Sequence, residues 1–358
     1  MFPKTLSIID CDVHNTYRSQ VELYPYLPEP WLSRLKEKGF GYPLETFYSS
    51  VQAKRLDAKP ENGPAGSDYA LLKTQLLDKF PINYAVLTGE GISGLSYMPD
   101  AEYPAALASA YNQWLVETWL KQDERFLGSL HLAVQNPEAA AAEIYRWGAH
   151  PKVVQVSIPT ATTLPLAHPF YRPILRAAAE MDLVIALHFR QPGPSAPDIT
   201  PVGMPFNYMD YHTLVSLPYL SQLVMLVSSG VLEELPNLKF LLMEGGFIWV
   251  IHLLWRFDKD YKALHRLAPA LKKLPSEYIY QHFKFGIQPI YEPSEADKLQ
   301  KVIEAGDLQH NLVFGSDYPH WDADEPDFIR RFIPQEWEQG IFYNNAAAWY
   351  KFFKQPGL

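Results

Sequence analysis

Leu183-Val184-Ile185-Ala186-Leu187-His188-Phe189 reads as a strand with no wet face. Successive strand residues point to opposite sides, so an apolar residue at nearly every position means cover on both sides. The stretch Leu238-Lys239-Phe240-Leu241-Leu242-Met243-Glu244 has the same character and also ends on an ionisable group. Strands of this kind belong to parallel sheets flanked by helices.

Working outward, similar β-type runs occupy 7–12, 82–88, 126–133, 153–158, 183–189, 238–244, 282–287 and 311–316. Helical patterns fall between them at 101–122, 138–147, 170–181, 212–234, 249–268 and 294–305. Eight strands alternating with helices predict an α/β fold, the (β/α)8 TIM barrel, as one unit over 1–358. About 70 residues separate the first two strands, so 17–70 is expected as an insertion after strand one, on the active-site side; a small independent subdomain is the alternative. A second long connection, 190–211, carries five prolines and two glycines and follows strand five. The 31 prolines are dispersed and punctuate loops.

Composition narrows the function. The net charge of −9 disfavours nucleic acid, whose phosphates require a basic face, and a polybasic membrane contact. No uncharged apolar run reaches 18 residues, and the N-terminus has no signal-peptide core. The one cysteine, Cys11, permits no disulfide within the chain, which points to a reducing compartment, the cytoplasm. Nucleotide loops of the Walker and G-x-G-x-x-G types are missing, as is a G-x-S-x-G elbow. A small-molecule enzyme is the class that remains.

Barrel enzymes place their chemistry at the C-terminal ends of strands. Strand one ends Asp10-Cys11-Asp12-Val13-His14, strand five Leu187-His188, strand six Met243-Glu244, and strand eight Gly315-Ser316-Asp317-Tyr318-Pro319-His320. Period-two alternation would aim Asp10, Asp12 and His14 one way and Ile9, Cys11 and Val13 the other. A carboxylate and an imidazole two residues apart make a natural metal clamp, though a closed hydrogen-bond network is an equal reading. His188 alone reads as a core histidine and Asp317 alone as a turn residue. Two acids and two histidines on three strand ends make a plausible first shell for zinc, manganese or iron(II). Arg190, two residues past His188, could clamp a substrate carboxylate, against the default of a solvated arginine. His131, His168 and His212 read as structural or rim residues.

Together, D-x-D-x-H, L-H, E-G-G-F-x-W and F-G-S-D-Y-P-H resemble the amidohydrolase-related branch of the amidohydrolase superfamily, which includes aminocarboxymuconate-semialdehyde decarboxylase and the aromatic-acid decarboxylases. The phrase GVLEELPNLKFLLMEGG and the Asn345-Ala346 turn extend the resemblance over most of the chain. It implies a barrel with one divalent ion, zinc first and manganese or iron next, held by Asp12, His14, His188 and Asp317. It implies a homodimer as well. Glu244 stands where many relatives have a histidine that assists the metal-bound water. His320 is a regular member of its motif, orienting Asp317 or lining the pocket, with a buried turn histidine as the equal alternative. Strand four ends Gln155-Val156-Ser157-Ile158-Pro159, without the lysine that binuclear members carboxylate.

Asp317, Glu244 and His320 are therefore the expected catalytic residues. Hydrolysis by a metal-activated water is placed first, because a carboxylate at 244 is a reasonable base. Non-oxidative decarboxylation of a small aromatic or unsaturated acid uses the same shell and is the alternative. A catalytically silent barrel that only binds its ligand is a third reading.

Overall fold

The computed structural model describes residues 6–40, 53–90, 92–189, 200–203 and 205–354. Eight parallel strands follow one another in chain order: β1 (Ile8–Val13), β2 (Ile82–Leu87), β3 (Phe126–His131), β4 (Val153–Pro159), β5 (Val184–His188), β6 (Phe240–Leu242), β7 (Phe283–Gly286) and β8 (Leu312–Val313). The ring closes through a Val13–Tyr318 bridge, with Cys11 N donating to Phe314 O (3.0 Å) and His14 N to Tyr318 O (2.7 Å). This is the (β/α)8 barrel expected from the alternation.

Two apolar layers hold it. Ile9, Cys11, Val86, Leu127, Val154, Val184, Leu241 and Val313 meet inside the barrel, most strands supplying at least one. The opposite faces pack against the helices. In Arg172–Glu180, for example, Ile174, Leu175, Ala177 and Ala178 form one buried stripe at helical spacing. Residues 346–352 floor the barrel: Tyr350 joins the inner cluster and donates to Gln155 Oε1 (2.7 Å). Lys239 Nζ donates to Trp349 O (2.8 Å) and Lys351 Nζ to Met181 O (3.3 Å), tying that segment down.

Two expectations change. The run 212–234 is three helices, Tyr208–Thr213, Ser216–Ser228 and Val231–Glu234, the last break lying at Gly230, whose φ of +79° suits glycine. Strict alternation in β1 also fails. The β1–β2 register slips between Asp10 and Val13. Cys11 packs in the lumen, and Asp10 turns to the β1–β8 seam, where Oδ1 accepts from Ser316 N (2.9 Å) and Asp12 N (3.1 Å). Burial pushes the Asp10 carboxyl up to about 7.

Of the stretch after β1, Trp31–Lys38 forms a helix, and residues 53–55 run beside the end of β8. Trp321 N donates to Ala53 O (3.1 Å), Arg55 N donates to Pro319 O (2.9 Å), and Lys54 bridges His320. Among the described residues no helix is long and apolar enough to cross a membrane.

Candidate metal centre and active site

The strand ends bring together side chains that lie far apart in sequence. Ligand atoms of Asp12, His14, His188 and Glu244 all lie within 4.8 Å of one another, as do those of His14, Glu244, Asp317 and His320. His14 Nε2 lies 3.4 Å from Asp12 Oδ1, 3.6 Å from Glu244 Oε1 and 3.0 Å from Asp317 Oδ1. His188 Nε2 is 3.3 Å from Asp12 Oδ2, and its Nδ1 is 3.5 Å from Glu244 Oε2. Donors bound to one ion at about 2.0–2.2 Å stand roughly 3.0–3.5 Å apart, close to the spacing around His14 Nε2 and between His188 Nε2 and Asp12.

The orientation of the rings fits an ion too. His14 Nδ1 faces Gly89 O at 3.0 Å and His188 Nδ1 faces Phe189 O at 2.8 Å. Each Nδ1–H is thus spent on a backbone carbonyl, which turns Nε2 towards the acids, the usual arrangement behind a metal-ligating histidine. His14 Nε2 and Asp12 Oδ2 are buried without an aligned hydrogen bond. Asp12 Oδ1 is held by Thr88 Oγ1 at 2.6 Å. Asp12, His14 and His188 come together with Glu244, whereas Asp317 groups with His14, Glu244 and His320; Glu244, which belongs to both groups, is more central than the sequence suggested.

Backbone strain marks the same two acids. Glu244 (φ +55°) and Asp317 (φ +58°) are among four non-glycine described residues with left-handed backbone. Such a conformation costs of order 1 kcal/mol or more and persists only where the surroundings enforce it. Here it turns both carboxylates in from the ends of β6 and β8.

Sequence reading missed three polar contributors. Glu90, just past β2, lies 3.3 Å from His14 Nδ1. Lys54, from the insertion, donates to Glu90 Oε2 at 2.7 Å and contacts His320 Nε2. Gln288, past β7, donates to Asp317 Oδ2 at 3.2 Å. Glu90 and Gln288 obey the strand-end rule that found the others; Lys54 has no such signal. Arg190 lies outside the described residues.

The charges suit a cation. Among the described residues, Asp12, Glu90, Glu244 and Asp317 face one ammonium, Lys54. Burial opposes charge on His14, yet Asp12, with Asp317, Glu244 and Glu90, holds its pKa well above the usual imidazole value. Burial and the neighbouring Glu244 push Asp317 well above the carboxylate range. Glu244 lies well below it: burial opposes this, but His188 and His14 prevail. His320 Nδ1 meets Asp317 Oδ1 at 2.5 Å, and burial, with Lys54 and His14, keeps this imidazole well below its usual pKa.

One wall of the mouth is aromatic. Phe189 and Tyr211 rings lie 4.9 Å apart, Tyr208 stacks on His212 at 5.6 Å, and His212 lies 5.9 Å from Trp321. The charges of Glu244 and Asp317 reach the Tyr208 hydroxyl, which burial raises to about 12. His212 is a rim residue, paired with Asp322 at 3.1 Å.

A barrel with buried acids and imidazoles converging at its strand ends defines a class of metal-binding barrel. The particular family follows from comparison: the chain belongs to the amidohydrolase family, a family of enzymes, which it matches over residues 9–352. No curated protein matches it significantly. Similar solved structures include 2,6-dihydroxybenzoate decarboxylase from Rhizobium, 19% identical over 98% of this chain and 99% of that one, with a TM-score of 0.67. The 5-carboxyvanillate decarboxylase of Sphingomonas paucimobilis is 22% identical over 97% and 99%, also at 0.67. The dihydroxybenzoic acid decarboxylase of Polaromonas sp. JS666, with bound manganese and the inhibitor 2-nitroresorcinol, is 17% identical over 98% and 97%, again at 0.67. At these identities the likeness is one of fold.

Proposed function

We propose that the protein is a metal-dependent, non-oxidative decarboxylase of a small aromatic carboxylic acid. The observation that carries this is the juxtaposition of the donor cluster with the aromatic wall of Phe189, Tyr208 and Trp321, which the buried Tyr211 backs. A flat ring resting on that wall would bring its carboxylate to the cluster. The solved structures named above are decarboxylases of such acids, which favours this reading over the hydrolysis placed first from the sequence. Glu244 keeps its place near the reacting atoms in either case.

Asp12, His14, His188 and Glu244 would hold one divalent ion, with Asp317 alongside as the acid; manganese in the Polaromonas structure puts that ion level with zinc. Such an ion supplies Lewis-acid polarisation of a substrate oxygen. The chain supplies the rest. Asp317, holding a proton beside Glu244, donates it to the ring carbon that bears the carboxylate. The carbon–carboxylate bond then breaks, its electron pair restores the aromatic ring, and CO2 leaves. Asp317 regains its proton from solvent. His320 and Gln288 fix the two oxygens of Asp317 throughout.

The test is incubation of the full-length protein, supplied with manganese or zinc, with hydroxylated benzoic acids in deuterated water. One CO2 and one ring deuterium per turnover are expected. A product carrying a solvent oxygen, with no CO2, would establish hydrolysis instead.

A further inference from the structure

Lys54 is far from every motif of the site, yet its side chain is buried among the site residues. The segment that carries it is fastened to the F-G-S-D-Y-P-H block by two backbone hydrogen bonds, Trp321 N to Ala53 O (3.1 Å) and Arg55 N to Pro319 O (2.9 Å). Lys54 itself is only 9% exposed. Among the described residues its ammonium contacts Glu90 Oε2 at 2.7 Å and His320 Nε2. On the far side of that ring, Nδ1 meets Asp317 Oδ1 at 2.5 Å.

A lysine ammonium has three N–H donors and no acceptor. A ring nitrogen that faces it must therefore present a lone pair. A neutral imidazole with its lone pair on Nε2 carries its hydrogen on Nδ1, here towards Asp317. We propose that Lys54 is a positioning residue for Asp317, acting through His320: it selects the Nδ1–H tautomer and so supplies Asp317 Oδ1 with an oriented donor. Glu90 is the anchor that keeps the ammonium in place. Gln288 Nε2 restrains the other oxygen at 3.2 Å, so Asp317 is held from both sides. The insertion after β1 thereby becomes a working part of the site.

The inference concerns hydrogen-bond direction and is readable without any substrate, although its effect on turnover rests on the decarboxylase reading. The experiment is long-range proton–nitrogen NMR of the full-length protein, labelled with 15N-histidine and supplied with zinc. His320→Gln identifies the signal. His320 is expected as the Nδ1–H tautomer in the wild type and in Lys54→Arg. In Lys54→Met the signal should move to the Nε2–H form or a mixture. An Nε2–H ring in the wild type, or a signal unmoved in Lys54→Met, would overturn the proposal. Glu90→Gln is the second variant should Lys54→Met not fold; it should shift the same signal in the same direction, and an unshifted signal counts against the anchor. If decarboxylation is also observed, Lys54→Met should lower kcat about 10–100-fold with little change in KM. An altered tautomer without any decarboxylation would sink the functional reading and leave this one standing.

Discussion

At the scale of single residues, the site is built by spending local stability. Glu244 and Asp317 accept left-handed backbone, and both lie in a buried cluster of acids. Asp317→Asn should remove the transferable proton and lower CO2 release by about 10²–10⁴-fold, with circular dichroism unchanged. Near-normal release would take Asp317 out of the mechanism. Glu244→Gln should reduce the metal bound per chain, measured by elemental analysis; full metal content and full turnover would make Glu244 structural. A different acid reports on pH. Asp324 accepts from Ile290 N at 2.8 Å, and burial pushes its carboxyl up to about 7. Its folded pKa lies above the unfolded value of 3.8, so the native state binds the extra proton between these limits. Stability is therefore lost as pH rises through that window. Asp324→Asn keeps an acceptor for Ile290 N and removes the titration. Its melting temperature should gain on the wild type by at least about 2 °C between pH 5 and pH 8. Parallel curves would show that Asp324 does not titrate there.

At the scale of elements, two glycines separate strain from collision. Gly66 has φ +84°, and a Cβ there would run into the His14 carbonyl oxygen. Gly203 has φ +101°, and among the described residues nothing lies within 4 Å of a Cβ built there. Gly203→Ala should cost only backbone strain, about 1–2 kcal/mol. Gly66→Ala should cost clearly more in denaturant unfolding and should weaken metal retention as well, because His14 must shift. Equal costs would mean that the insertion yields without disturbing the site. The barrel itself was legible because eight runs, such as the one closing on His188, carry their burial pattern in plain view. Much of the candidate site was legible because polar residues at strand ends are conspicuous against apolar runs. What escaped has physical causes. The register slip after Asp10 depends on pairing with β2 and leaves no local mark. Lys54 sits in a stretch without periodicity, and only its pairing with residues 319–321 brings it to the site. Trp255, large and apolar, is nonetheless 63% exposed, since its helix, Ile248–Leu264, buries a stripe at Val250, Ile251, Leu253 and Leu254.

At the scale of the whole molecule, converging acids would make a bound cation a structural element. A ligand that binds only the folded state stabilises it by about 2.7 kcal/mol at a concentration 100 times its Kd. Chelation should therefore lower the melting temperature by several degrees, and added manganese or zinc should restore it. Asp12→Asn and His188→Ala should blunt that response. A melting temperature indifferent to chelator and to added metal would mean that the cluster satisfies itself with protons alone.

The floor of the barrel has a consequence for how the chain is made. Tyr350 seals a lumen whose other walls begin at Ile9, so the two ends of the inner layer are translated far apart in time. A ribosome that has emitted all eight strands still holds a tube open at its base. Released chains cut short before Tyr350 should expose Cys11 to thiol reagents, whereas in released full-length chains that thiol should be silent.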